Sequence, residues 1–260
     1  MVWNRIERGA GRPLILLHGI GSACEIWEPV MGMLAADRRV IAFDLPGHGS
    51  SPAPRPGEPL GPRHFAKQLG EQLHELGVDG PVDLVGNSLG GWTALEAAKL
   101  GLARSVVGLS PAGLWHGPGP TSSVTGFRIF RSMVRRYPHI VRALLQSAAG
   151  RTVLLPMILG RPWRMPAPVA VESVRMFDQT TILDDLFAAS QNDQFAGGDV
   201  IDVPVTIAFG TRDWLLNRRT SQFSDQLPTS ARWIELKGCG HVPMWDDPEL
   251  VARTVLEGTS

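Results

Sequence analysis

Short runs of consecutive apolar residues alternate along this chain with stretches whose apolar positions recur every three or four residues. The runs are Leu14 to Leu17, Arg39 to Phe43, Val82 to Val85, Ser105 to Leu109, Val203 to Phe209 and Ala231 to Leu236. Segments of this length and character suit strands covered on both faces, as in a parallel sheet. Between them, Ile26, Trp27, Val30 and Leu34 mark one helix, with Pro29 tolerated in its first turn. Phe65, Leu69, Leu73 and Leu76 mark a second over 63–76, ended by Gly77, and small residues such as Ala94, Ala97 and Ala98 characterise a third over 89–100. Further helices are expected over 218–227 and, capped by Asp247, through Leu256. The alternation predicts an α/β fold with a mostly parallel sheet flanked by helices.

The rhythm breaks after residue 115. Residues 116–196 hold no convincing strand, and proline and glycine separate helical patterns over 124–137, 140–149, 168–177 and 182–189. Residues 1–115 and 197–260 are therefore expected to form a core domain, with 116–196 as a helical insertion. Between Gly117 and Arg175 the insertion carries nine arginines against one acid, Glu172, whereas Asp178, Asp184, Asp185, Asp193 and Asp199 follow. Such a charge run reads first as a solvated face; the sharper reading has Arg128, Arg131, Arg135 and Arg136 guiding an anionic substrate or touching an acidic surface. Met133, Leu144, Leu145, Met157, Trp163, Met165, Met176 and Phe177 supply either the insertion's own core or the lining of an apolar pocket beneath it.

Composition narrows the possibilities. At 260 residues and 43% hydrophobic, the chain buries a large core. Its 25 basic and 25 acidic residues balance, which disfavours nucleic-acid binding driven by bulk charge. Cys24 and Cys239 are too few and too far apart in sequence for a disulfide framework or a thiolate-rich zinc site, so pocket packing is expected of both, and no metal or cofactor. The N-terminal residues lack the apolar core of a signal peptide, and no apolar run reaches bilayer length, so a cytoplasmic location is expected.

The chemistry concentrates in Gly86-Asn87-Ser88-Leu89-Gly90, a Gly-x-Ser-x-Gly pattern between a strand and a helix. A serine at the tip of a strained strand-to-helix turn needs glycines two residues either side, or side chains collide with strand and helix. The helix N-terminus then directs its amides at charge developing beside Ser88. A serine hydroxyl is a poor nucleophile by itself and requires a base and an acid that holds the base. His241 and Asp213 suit these roles, since both follow strands at the carboxyl edge of the sheet, where Ser88 also lies. Blander roles are expected elsewhere: His18 and His48 lock glycine turns, His64 and His74 face solvent, His116 and His139 flank the insertion without an evident partner, Asp44 bonds its own loop, and Asp246 and Asp247 serve a helix start.

Five stretches carry a family resemblance: His18-Gly19, Asp44 to Gly49, Gly86 to Gly91, Gly210 to Asp213, and Gly240-His241. In this order they resemble an α/β-hydrolase over nearly the whole length, with the insertion in the place of a variable cap. The resemblance implies an oxyanion hole made by the backbone amides of Ile20 and Leu89, with Gly21 an alternative to Ile20. It implies hydrolysis of a small-molecule carboxylic ester through an acyl-enzyme. Three departures stand out. The segment before Leu14 is short for two N-terminal strands. Asn87 replaces a frequent histidine and is shared with carbon–carbon bond hydrolases, although their glycine-rich oxyanion loop is absent. No aspartate stands at position 88, against alkyl-enzyme chemistry. Cleavage of a carbon–carbon bond in a dioxo acid and a non-catalytic, ligand-binding role are the alternatives.

Overall fold

The computed structural model describes residues 2–260. Its seven-stranded sheet runs β1-β3-β2-β4-β5-β6-β7, built from β1 (Arg5–Arg8), β2 (Arg12–Leu17), β3 (Arg38–Phe43), β4 (Val82–Asn87), β5 (Ala103–Leu109), β6 (Val205–Gly210) and β7 (Arg232–Leu236). Every neighbouring pair is parallel except β1 with β3, so the short N-terminal segment yields one antiparallel edge strand. β1 escapes the apolar-run criterion because, as an edge strand reading Arg-Ile-Glu-Arg, it leaves three of its four residues exposed.

The helices are α1 (Glu28–Leu34), α2 (Pro62–Glu75), α3 (Leu89–Lys99), α4 (Thr121–Arg136), α5 (Pro138–Leu145), α6 (Ala148–Leu154), α7 (Ala167–Gln179), α8 (Leu183–Gln191), α9 (Arg218–Ser221), α10 (Pro243–Asp246) and α11 (Pro248–Gly258). The period of two along each strand divides the core. In β2, Ile15 and Leu17 join Phe65, Leu69 and Leu95 of α2 and α3 on one face, while Leu14 and Leu16 join Val30, Met31 and Val255 of α1 and α11 on the other. α4 to α8 all lie between β5 and β6 in the chain. None of the helices among the described residues is long and apolar enough to cross a membrane.

Two helical expectations need correction. The pattern over 140–149 is two helices, because Ser147 leaves the helical conformation and its side chain caps α6 by accepting from Gly150 N at 3.0 Å. The helix expected over 218–227 stops at Ser221. Beyond it the Phe223 amide donates to Leu114 O at 3.0 Å, and the Phe223 ring stacks on His116 at 4.1 Å, so tertiary bonds draw the chain out of the helix.

β2 and β4 are neighbours, yet β2 continues to β3 on one side and β4 to β5 on the other. The loops leaving their carboxyl ends diverge and open a crevice at this switch point. His18, at the end of β2, fastens one wall: its Nε2 accepts from Leu45 N at 2.9 Å, and its Nδ1 faces Gly19 O at 2.7 Å. His48 Nδ1 reaches Pro46 O at 3.0 Å, and the two imidazoles meet edge to face. Asp44 collects the Cys24 and Ser50 amides and the Asn4 side chain, which ties its loop to the start of the α1 segment.

This wall makes the fold acid-sensitive. Burial, then the neighbouring His18, pushes the His48 imidazole down to about 3, and burial also lowers His18. Both stay neutral in the fold but bind protons near pH 6.5 once unfolded. Stability is therefore complete above about pH 6.5 and falls as pH drops below it, His48 contributing on the order of 1 kcal/mol per pH unit down to about 3 and His18 adding in the same direction. Burial pushes the Asp44 carboxyl up, but the Ser50 and Cys24 amides and the Asn4 side chain that donate to it outweigh this and hold it low, so Asp44 adds to the loss as pH falls below about 4. Urea midpoints measured at pH 7 and pH 5 should differ, and His48→Gln should reduce the difference.

Candidate active site

Ser88 occupies the turn from β4 into α3 with φ 54° and ψ −116°. A non-glycine residue in this region stores on the order of 1–3 kcal/mol of strain and persists only where surroundings impose it. Here they do: Ser88 N donates to Leu109 O at 3.1 Å, while Ser88 O accepts from Trp92 N at 3.1 Å and Ala112 N at 3.0 Å. The flanking glycines are required by contact. A Cβ on Gly86 would lie 2.2 Å from Gly90 O, and one on Gly90 would lie 2.2 Å from Leu17 O. Leu89, the first residue of α3, has one of the amides that an α-helix leaves without an internal acceptor.

Asp213 follows β6 and is buried. Its Oδ1 accepts from Leu215 N at 3.0 Å and Leu216 N at 2.8 Å, and its Oδ2 lies 2.9 Å from His241 Nδ1. A carboxylate accepts only, so it places the ring proton on Nδ1 and leaves Nε2 with a lone pair. His241 and Ser88 line one cavity together with Gly19, Ile20 and Gly21. Ser88 and Ile20 also border a second cavity, on the α3 side, which Leu89 lines. Gly21 packs against Phe177, to which an added Cβ would come within 2.5 Å.

The backbone around His241 is gripped from three directions. Asn87 donates through Nδ2 to His241 O at 2.8 Å and to Leu109 O at 2.9 Å. Val242 N donates to Ile158 O at 2.9 Å. Asp246 accepts from Gly240 N at 2.7 Å, Gly160 N at 2.9 Å and Arg161 N at 2.6 Å. Gly160 and Gly240 meet backbone to backbone, since a Cβ on Gly240 would lie 2.5 Å from Gly160 N. The helix start belongs to Asp247 alone, which accepts from Leu250 N at 3.2 Å; Asp246 is fully buried, and burial outweighs its amide partners to raise its carboxyl. Neither grip is evident from sequence, where Asn87 is one variable elbow position and Asp246 one of two adjacent acids.

Other residues sort themselves by contact. Arg128, Arg131 and Arg135 pair with Asp178 and Asp184, and with Arg136 they border an outer groove. No arginine lines either cavity at Ser88. Met157, Met165 and Phe177 line the first cavity; Met133 and Leu145 pack in the core of the inserted helices, and Leu144 and Trp163 are exposed. His116 pairs with Asp225 at 2.9 Å, and His64 is half-buried, because its face of α2 tilts toward the core. His74 and His139 are exposed. Cys24 and Cys239 are free, buried thiols in one core cluster. Cys24, Glu25 and Asp44 place three possible metal-ligand atoms within 4.8 Å, but burial raises the Cys24 thiol and amide donors already occupy both Asp44 oxygens, a poor donor set for a cation.

Comparison with known proteins agrees with the fold. A sequence model of the alpha/beta hydrolase family matches residues 14–254. The epoxide hydrolase EphH of Mycobacterium tuberculosis is 28% identical over 205 residues, covering 74% of this chain and 91% of the relative. A pimeloyl-[acyl-carrier protein] methyl ester esterase of Neisseria meningitidis serogroup A is 27% identical over 265 residues, covering 96% and 78%. Among solved structures, the epoxide hydrolase CorEH superposes with a TM-score of 0.77 at 20% identity, covering 98% of this chain and 94% of that one.

Asp246→Ala removes the acceptor of three amides, those of Gly160 and Gly240 buried and that of Arg161 part-buried, and a buried amide costs about 1–3 kcal/mol when stranded. A stability loss on the order of 3 kcal/mol or more is expected from urea denaturation. Asp246→Asn should recover only part of it, because its amide group would face a donor.

Proposed function

The chain belongs to the alpha/beta hydrolase family, and on that premise we propose that it is a serine hydrolase of carboxylic esters. The observation that carries this reading is the left-handed Ser88 facing the same cavity as His241, whose Nδ1 is held 2.9 Å from a buried Asp213. In this reading Ser88 Oγ attacks the ester carbonyl while His241 Nε2 takes its proton, and Asp213 orients the ring and stabilises the imidazolium. The carbonyl oxygen gains charge beside the amides of Leu89 and Ile20, supported by the N-terminus of α3. His241 then protonates the departing alkoxide, giving an acyl-Ser88 ester and a free alcohol. Water, deprotonated by His241, attacks that ester and releases the carboxylic acid.

The helices between β5 and β6 serve in this reading as a cap that keeps bulk water from the acyl ester. Carbon–carbon cleavage of a dioxo acid has less support. Asn87, its marker in the sequence, uses its amide on two main-chain carbonyls, and a substrate carboxylate would find no cation in either cavity.

Wild-type protein should release p-nitrophenol from p-nitrophenyl butyrate, and Ser88→Ala should lower kcat by about 10⁴-fold or more. A fluorophosphonate should add its mass to the peptide containing Ser88. Equal turnover by wild type and Ser88→Ala would refute the proposal, and an inert wild type that also resists the fluorophosphonate would favour a ligand-binding protein without turnover.

A further inference from the structure

The two cavities meet only at Ser88, Ile20 and Phe127. The first runs beneath α6 and α7, between Ile26, Phe130, Leu154, Met165 and Val174, and has His241 in its wall. The second runs along α3 and α8, between Trp92, Trp115, Val124, Phe187 and Leu216, and has Leu89 in its wall. Phe127 stands between them, 5.5 Å from the Phe177 ring on one side and 5.6 Å from the Phe187 ring on the other.

Neither cavity is lined by an aspartate, glutamate, lysine or arginine. Four polar side chains of the second are engaged elsewhere. Trp92 Nε1 donates to Glu96 at 3.1 Å and Trp115 Nε1 to Asp193 O at 2.9 Å, so both indoles can present apolar surface. Ser123 Oγ donates to Leu215 O at 2.6 Å and Ser190 Oγ to Leu186 O at 2.7 Å. A charged substituent entering either space would lose its hydration without gaining a counter-ion.

The direction of proton transfer assigns the two spaces. The alkoxide that leaves must meet His241, which borders only the first cavity. The carbonyl oxygen must meet the Leu89 amide, and Leu89 borders only the second. Resting on the serine-hydrolase reading above, we infer that the substrate is an uncharged ester with apolar groups on both sides, its alcohol portion in the first cavity and its acyl portion in the second. When the C–O bond to the alcohol breaks, the alcohol takes its proton from His241 and vacates the first cavity, while the acyl group stays bonded to Ser88 Oγ in the second. The vacated space then admits the hydrolytic water beside the same histidine.

Two filling variants separate the assignments, because Val124 and Leu154 are only half-buried and each borders one cavity. Val124→Phe should lower kcat/KM at least tenfold for ethyl octanoate relative to ethyl acetate. Leu154→Phe should lower it at least tenfold for octyl acetate relative to ethyl acetate. In wild type, ethyl hydrogen succinate should be turned over at least 100-fold less efficiently than ethyl butyrate. One measurement needs no variant: hexanol and hexanoate, as product inhibitors, should bind wild type together. The reversed pattern, no pattern, or mutual exclusion of the two products would overturn the assignment while ester turnover persists. Absence of ester turnover, with Ser88 inert to fluorophosphonate, would instead overturn the reading on which the assignment rests.

Discussion

The site depends on a backbone contact that two hydrogen atoms permit. At Gly86 and Gly90, the end of β4, the first turn of α3 and the end of β2 approach so closely that any Cβ would lie 2.2 Å from a carbonyl oxygen. That approach compresses the turn and leaves Ser88 in a left-handed conformation that an isolated chain would abandon. Ile20, Ser88 and Leu89 border one cavity beside this contact. Strain, the position of Ser88 and the direction of the helix N-terminus thus have one cause, and it is steric.

His241 is fixed by a different principle. Its ring is oriented by Asp213, but the main chain from Gly240 to Val242 is held by hydrogen bonds to groups from separate parts of the chain: Asn87 of the elbow, Ile158 between α6 and α7, and Asp246 of α10. Asp246 is an uncommon choice for this task, because a buried carboxylate is costly unless its lone pairs are met. Three main-chain amides meet them, and in doing so join the segment at Gly160 to the loop at Gly240.

What the sequence revealed follows from what is local. Strand ends are announced by apolar runs, so the positions of Ser88, Asp213 and His241 at the carboxyl edge of the sheet could be read directly. The glycine spacing at the elbow carries its steric reason with it. Features decided by distant partners could not be read. β1 is a strand because β3 offers it a register, and α9 ends just before Leu114 takes the Phe223 amide. The arginines of α4 look like anion receptors until Asp178 and Asp184 are seen to meet three of them on the outer surface. Asn87 stands at a variable elbow position in sequence, and only its two main-chain contacts reveal a structural task for it.

The junction at Gly160 and Gly240 makes the connections of the helices between β5 and β6 unequal. The connection after α6 is seated on the histidine loop, backbone against backbone, while the turn at Gly117 before α4, whose Cβ position meets open space, is held by its amide's hydrogen bond to the Gln194 side chain at 2.8 Å. Exchanging these helices between relatives is thus a question of where to cut. A chimera that keeps this chain from Ile158 onward retains the seat of its own histidine, whereas one cut beyond Arg161 imports a foreign seat and inherits its alignment.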